Sequence, residues 1–400
     1  MSLLSKRISR FKPSVTVEIS QKARDLRSKG KDIISLSSGE PDFNTPDEIK
    51  TEAIKAIRNN FTKYTPVDGI LDLKKAIKKK LWNENKLNYN TDQITVGVGG
   101  KHVIYNLFMS TIDDGDEVII PSPYWVSYPD IILLCKGKPI ILQTSLESKF
   151  KITAKQLEEK ISKKTKWFIM NSPSNPTGIV YTDTELKEIS EVLMKYDHVN
   201  ILSDDIYEYI IYGEKNFHNI INLEPKLYRR AFIVNGVSKG FSMTGWRIGY
   251  GAGSNEIIKS IAKIQSQSTT NPTSISQMAA ISALNSEKKF LPKWIFEFLK
   301  RRDFIYEKFN KIQGLECIKP DGAFYMFTSC KGILGKKSPD GRVISDDVDF
   351  SNFILEFGGV AVVPGKAFGA SPYFRISYAS SMELLEKACD NIDSAISLLK

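Results

Sequence analysis

The chain has 400 residues, of which 42% are hydrophobic and 26% charged; the length suggests two domains and the composition is that of a soluble globular protein. No apolar run approaches the roughly 18–20 residues that span a bilayer, so a membrane partner is not expected. Lys and Arg outnumber Asp and Glu by 56 to 46, a net charge of +10, but the lysines interleave with acids, as in "TDTELKEISEVLMKY", which argues against a nucleic-acid partner. Such a surplus suits an enzyme that handles anions. Cys135, Cys317, Cys330 and Cys389 are scattered, with no CxxC pair, and His102, His198 and His218 are dispersed. That pattern predicts a reducing, cytoplasmic setting and no metal site. The start, "MSLLSKRISRFKPS", is basic and faintly transit-like but lacks the apolar core of a secretory signal.

Taken in order, the chain alternates strand and helix. After "VTVEISQKARDL", which has ordinary helix chemistry, "DQITVGV" predicts a strand and "KHVIYNLFMSTI" a helix with Val103, Ile104, Leu107 and Phe108 on one face. "DEVIIP", "GKPIILQ" and "KWFIM" predict strands, "TDTELKEISEVLMKY" a helix capped by Thr182 or Asp183, and "VNILSDD" and "RAFIVNG" two more strands. Short, nearly continuous apolar runs separated by helices are what a parallel sheet covered on both faces requires. Beyond about residue 290 the pattern changes to a long helix in "PKWIFEFLKRRDFIYEKFNKI", then "GAFYMFTSC", a helical "DFSNFILEFG", "VAVVPG" and "YFRISYA". The expected organisation is an N-terminal arm that joins the small domain (1–44), a large domain (45–290) and a small α+β domain (291–400).

Ligands of open α/β sheets bind beyond the carboxyl ends of the strands, so the residues that follow each strand carry the chemistry. They are Gly99-Gly100-Lys101; "SPYWVSY" with Trp125; "NSPSNPTG" with Asn175; Asp204, Asp205 and Tyr207; and Ser238 and Lys239. A glycine pair opening a helix suits a phosphate. A dinucleotide turn fits poorly, because His102 stands where the third glycine of GxGxxG belongs, and no GxxxxGK[ST] loop is present. Singly, each feature has an ordinary structural reading: a tight turn, a core tryptophan, an asparagine turn former, a structural ion pair for Asp204.

Lys239 ties them together. Its amine is a nucleophile only when neutral, and burial or nearby cations such as Arg247 lower its pKa from about 10.4. A phosphate cradle, a stacking aromatic, a carboxylate for a ring nitrogen and a lysine nucleophile together describe pyridoxal 5′-phosphate.

"SKGFSMTGWRIGY" resembles the lysine region of the class I, fold-type I pyridoxal-phosphate aminotransferases. The likeness runs through "SSGEPDFNTP", "KYTPVDG", "GGKHVIYNLF", "PSPYWVSYP", "NSPSNPTG", "SDDIYE", "PDGAFYMF", "VAVVPGKAFG" and "FRISYA" in the family's order. It implies a large domain with a mixed, mostly parallel sheet flanked by helices and a smaller, discontinuous α+β domain. It also implies that Lys239 forms the Schiff base and later carries a proton. Asp204 would pair with the ring nitrogen, Tyr207 and Asn175 would bond the phenolic oxygen, and Trp125 would stack on the ring. Gly100, Lys101, Ser238 and Arg247 complete the cofactor site, and Tyr64 would reach the neighbouring subunit's phosphate in a homodimer. Arg375 would take the substrate α-carboxylate, with Gly39, Trp125 and Asn175 lining the same pocket. Asp205, where the family often has Glu, is expected outside the contact shell.

Within the family the chain is most similar to the bacterial-type aspartate aminotransferases, some of which also use prephenate. That likeness implies amino acids and 2-oxo acids as substrates, with ping-pong transfer between L-aspartate and 2-oxoglutarate. It points Lys101 at the distal carboxylate and links Lys12, in "FKPS", to prephenate. A broad-specificity aromatic or alanine aminotransferase and a C–S lyase are the alternatives within the fold. A non-catalytic relative would be expected to lack Lys239, Asp204 or Arg375, and all three are present.

Overall fold

The computed structural model describes residues 3–11 and 15–400. In chain order its strands are β1 (Ile34–Ser35), β2 (Ile94–Gly97), β3 (Glu117–Pro121), β4 (Lys138–Leu142), β5 (Thr165–Asn171), β6 (Asn200–Asp204) and β7 (Ala231–Gly236). They continue with β8 (Gly249–Ala252), β9 (Glu316–Cys317), β10 (Tyr325–Ser329), β11 (Val360–Ala361), β12 (Val363–Pro364) and β13 (Tyr373–Ser377).

The main sheet has the order β2-β8-β7-β6-β5-β3-β4. Only β8 runs against the others, pairing antiparallel with β2 and β7. Alternate residues face opposite layers, and both layers are apolar. Val118 and Ile120, Trp167 and Ile169, Leu202, Phe232 and Val234 join a core with Val103, Ile104, Leu107 and Phe108 of the helix Gly100–Thr111. Ile119, Phe168, Met170, Ile201 and Ile233 face the other way, against Ile77 of the helix Leu71–Asn85 and Leu186 and Ile189 of the helix Asp183–Met194. This two-sided burial is why the strands read as unbroken apolar runs. Thr182 caps the latter helix, its side chain accepting from Glu185 N.

Besides the two-residue β1 and β9, the strand that sequence periodicity misses is β8, whose "GYGA" has low strand propensity. Packing demands its glycines: a Cβ on Gly251 would stand 2.5 Å from the Phe232 ring, and one on Gly249 2.2 Å from Gly100 N.

The second sheet has the antiparallel order β12-β13-β10-β9 and packs with the helices Leu291–Phe309, Asp347–Phe357 and Met382–Ser397. The N-terminal chain enters this layer through β1, which pairs parallel with β11, and Ile34 and Leu36 lie in its core. Among the described residues no helix is long and apolar enough to cross a membrane.

A buried polar cluster links β6 and β7 to the helix Leu71–Asn85. Glu208 accepts from Lys80 Nζ, from Asn85 Nδ2 at 2.7 Å and from Asn235 Nδ2 at 2.7 Å. The side chains of Lys80 and Glu208 are 0% and 4% exposed. Removing one partner strands the other charge in the core. Glu208→Ala is therefore expected to cost about 3–5 kcal/mol in denaturant unfolding, with the double variant Lys80→Met/Glu208→Leu costing less. A loss below about 1 kcal/mol for Glu208→Ala would contradict this.

Candidate active site

A cavity of about 540 Å³ opens at the carboxyl ends of the parallel strands. It is lined by Gly100 and Lys101 after β2, Trp125 after β3, Asn175 after β5, Asp204 and Tyr207 at and beyond the end of β6, and Ser238 and Lys239 after β7. Gly39, Arg247 and Arg375 complete the group. The five strand-end junctions thus converge, because parallel strands end on one side of the sheet. Tyr64 is 89% exposed and does not line the cavity. Lys12 lies outside the described residues.

One corner is built for an anion. Gly99, with φ of 83°, precedes the helix Gly100–Thr111, and no side chain caps that helix. First-turn N–H groups have no intrahelical acceptor and carry the positive end of the helix dipole. Arg247 leaves the turn Thr244–Trp246 with φ of 57°. Its guanidinium donates to Thr244 O at 2.8 Å and to Val98 O at 3.4 Å. A Cβ on Gly99 would stand 2.3 Å from Arg247 Nη2. Glycine at that position lets a cation and a helix end share one corner, an arrangement suited to phosphate.

Asp204 is 6% exposed. Its Oδ2 accepts from the Tyr128 hydroxyl at 2.6 Å and its Oδ1 from Ile206 N at 3.4 Å. Burial pushes the carboxyl up to about 6, while these two donors and the charge of Lys239 pull it down. The group is therefore mainly anionic at neutral pH. Asp205 points elsewhere: it accepts from Ser203 Oγ at 2.7 Å and Asn219 Nδ2 at 2.5 Å and does not line the cavity.

Lys239 Nζ donates to Gly39 O at 2.5 Å. Burial lowers its pKa to about 8, with help from Arg247 and Arg375 and against the pull of Glu40 and Asp204. Lys101 Nζ stands 5.0 Å from the centre of the Trp125 ring, and burial followed by Arg247 lowers its pKa too.

Arg375 is 3% exposed. It donates from Nη1 to Asn175 Oδ1 at 2.9 Å and from Nη2 to Ser37 O at 2.6 Å, while its buried Nε has no partner among the described residues. The pairing of β1 with β11, and the bond from Ser377 N to Leu36 O at 2.7 Å, bring Ser37 beside β13. The guanidinium also lies over the rings of Tyr325 and Phe368.

Among the cavity residues that sequence reasoning does not single out, four hold the predicted ones in place. Tyr128 bonds Asp204, and Asn171 donates to Asp204 O at 2.9 Å and accepts from Asn175 N at 3.0 Å. The Tyr325 hydroxyl is 2.6 Å from that of Tyr207, and Ser37 meets Arg375. All four stand inside the motifs quoted above, "SSGEPDFNTP", "PSPYWVSYP", "NSPSNPTG" and "PDGAFYMF". Nothing in those strings says which aromatic or amide reaches a carboxylate 76 residues away.

A crevice at the strand ends of a mixed α/β sheet, holding a low-pKa lysine, a buried aspartate and an anion corner, defines a fold-type I transferase site. The chain belongs to the class I and II aminotransferases, whose family profile matches residues 31–392. Among its relatives, a probable aspartate/prephenate aminotransferase of Rickettsia conorii is 53% identical over 399 residues, covering 100% of both chains. The crystal structure of the aspartate aminotransferase from Rhizobium meliloti superposes with a TM-score of 0.97 at 46% identity, covering 100% of both chains. That of the Thermus thermophilus aspartate aminotransferase with maleate gives 0.92 at 38% identity, covering 99% of this chain and 100% of the other.

Only the neutral amine attacks a carbonyl, so the reactivity of Lys239 should rise with pH through about 8. Reaction with a small aldehyde, trapped by borohydride and read by peptide mass spectrometry, is expected to increase about tenfold between about pH 7 and 9. Exposed lysines should keep rising above about pH 10. A Lys239 profile indistinguishable from theirs would refute the assigned burial effect.

Proposed function

We propose that this aminotransferase uses pyridoxal 5′-phosphate and moves the amino group of L-aspartate to 2-oxoglutarate, producing oxaloacetate and L-glutamate. Both substrates would use the same cavity in turn. The observation that carries this reading is the convergence of Lys239, Asp204 and Arg375 on one cavity.

The residues present fit the cofactor. The corner formed by the N–H groups of Gly100 and Lys101, the Arg247 guanidinium and the Ser238 hydroxyl would take the phosphate. Trp125 would cover the ring and Asp204 would face its nitrogen. The Tyr207 hydroxyl and Asn175 Nδ2 would meet the phenolic oxygen; Asn175 Oδ1 already accepts from Arg375, which leaves the amide nitrogen to donate. When bound, the cofactor supplies an aldehyde that condenses with amines and a ring that withdraws electrons from the substrate Cα.

The chain's own residues supply the rest. Lys239 would hold the cofactor's aldehyde, and its amine, when free, would take the substrate Cα proton and return it within the same pocket. Asp204 would hold a proton on the ring nitrogen, and Tyr128 and Asn171 hold Asp204 in place. The planar fork of Arg375 pairs with the α-carboxylate, and its Nε, without a partner among the described residues, gives one more donor for an acidic ligand.

Lys101 is proposed for the distal carboxylate of aspartate. Maleate, held by the Thermus neighbour, is a dicarboxylate of aspartate's length. A second reading, prephenate as amino acceptor, is supported by the name of the Rickettsia relative. We also propose a homodimer in which Tyr64 serves the other subunit's site; the stretch that exposes Tyr64 also exposes Ile54, Ile57 and Leu71. The arm and small unit (1–44 with 291–400) and the large unit (45–290) are proposed as its two domains. The four buried, unpaired cysteines support a cytoplasmic enzyme.

Protein loaded with pyridoxal 5′-phosphate should change its absorbance on adding aspartate and recover it on adding 2-oxoglutarate. Lys239→Ala should abolish turnover, and normal turnover by that variant would sink the mechanism. Arg375→Lys is expected to lower kcat/KM about a hundredfold for aspartate and alanine alike, because a bidentate charged contact is lost. Lys101→Ala should depress aspartate selectively, and an equal loss with alanine would remove its assigned role.

A further inference from the structure

Five cations line the cavity, Arg24, Lys101, Lys239, Arg247 and Arg375, against one acid, Asp204. Among the described residues none of the five stands within ion-pair distance of a carboxylate. The proposed reaction employs four of them: Arg247 with phosphate, Arg375 with the α-carboxylate, Lys239 with the chemistry and Lys101 with a distal carboxylate. Arg24 is left over, although it is the least expected of the five, since it comes from a polar helix far from any strand end.

Arg24 belongs to the helix Val15–Ser28 and is exposed. Gln21 Oε1 accepts from its Nε at 3.3 Å and its Nη2 at 2.7 Å, and Gln21 Nε2 donates in turn to Asp25 Oδ1 at 2.6 Å. The chain Asp25–Gln21–Arg24 steadies the guanidinium without neutralising it and leaves Nη1 with no protein acceptor among the described residues. The helix packs on β11 and β12, whereas Lys101 stands in the first turn of the helix Gly100–Thr111, after β2 of the main sheet, and lies against Trp125. The two cations therefore reach the cavity from different layers of the protein.

A ping-pong transfer between a four-carbon and a five-carbon dicarboxylate makes a demand that one fixed cation meets poorly. Both substrates share the α-carboxylate anchor, yet their distal carboxylates lie one methylene apart. Resting on the function proposed above, we infer that Arg24 is a specificity-determining residue that receives the distal carboxylate of the longer substrates, 2-oxoglutarate and glutamate, while Lys101 serves the shorter pair. The assignment follows from position: Lys101 is held at the ring-covering tryptophan, and Arg24 stands on an exposed helix at the mouth, where a longer substrate extends.

The test uses full-length protein loaded with pyridoxal 5′-phosphate, in wild-type, Arg24→Ala and Arg24→Lys forms. Half-reaction kcat/KM is measured for aspartate and for glutamate, and binding of succinate and glutarate is followed by the cofactor's absorbance. Arg24→Ala should lower kcat/KM for glutamate about tenfold or more and for aspartate less than about threefold. It should weaken glutarate more than succinate by a similar ratio, and Arg24→Lys should recover part of the loss. Equal effects on the two lengths, or none, would overturn the inference. Failure of wild-type protein to react with either amino acid would overturn the underlying function instead, and the variants are not needed to see it.

Discussion

A half-buried lysine amine, hydrogen-bonded to a single backbone carbonyl in the same cavity as a buried carboxylate, is the arrangement on which the rest of the molecule depends. Lys239 reaches that setting because β7 ends inside a sheet covered on both faces, so the residues just past its end emerge into the cavity. The same burial acts in opposite directions on the two groups. It lowers the amine to about 8 and raises the Asp204 carboxyl to about 6. Each change brings a reactive group closer to neutral pH, the range in which acid–base work is efficient.

The cavity's charge is lopsided by construction. Its surplus of cations is stable in the free protein because the guanidinium of Arg375 is spread over two rings and two acceptors, and that of Arg247 over two carbonyls, with no carboxylate taking up either. Anionic ligands then meet positive groups already oriented, which lessens the reorganisation that binding requires. Close backbone contact makes this possible. Gly99 and Gly249 allow the helix end, β8 and Arg247 to lie where any side chain would collide, at the cost of a strand that looks unlike a strand.

Arg375 also joins the layers of the protein. It rises from β13 in the smaller sheet, bonds Asn175 just beyond the end of β5 in the main sheet and holds Ser37 from the N-terminal chain. A ligand carboxylate at this guanidinium would therefore be sensed by three separate stretches of chain, and that is how a binding event could be coupled to their relative position.

The alternation of strand and helix, the change of pattern near residue 290 and the chemistry stored at strand ends were all legible in the residues, because apolar periodicity and turn composition are local properties. Lys239, Asp204, Trp125 and Asn175 could be singled out since each follows a readable strand. Arg375 needed the family likeness, and Tyr128, Tyr325 and Asn171 were not separable from neighbours of the same type in their motifs. Arg24 had no signal at all, standing in an ordinary polar helix. Sequence thus established which groups were available and roughly where along the chain. Which hydroxyl meets Asp204, which carbonyl holds Lys239, why β8 must be glycine-rich and which cations share the cavity were settled by long-range packing. Contacts between residues 76 to 338 positions apart depend on how layers stack, and no local pattern encodes that.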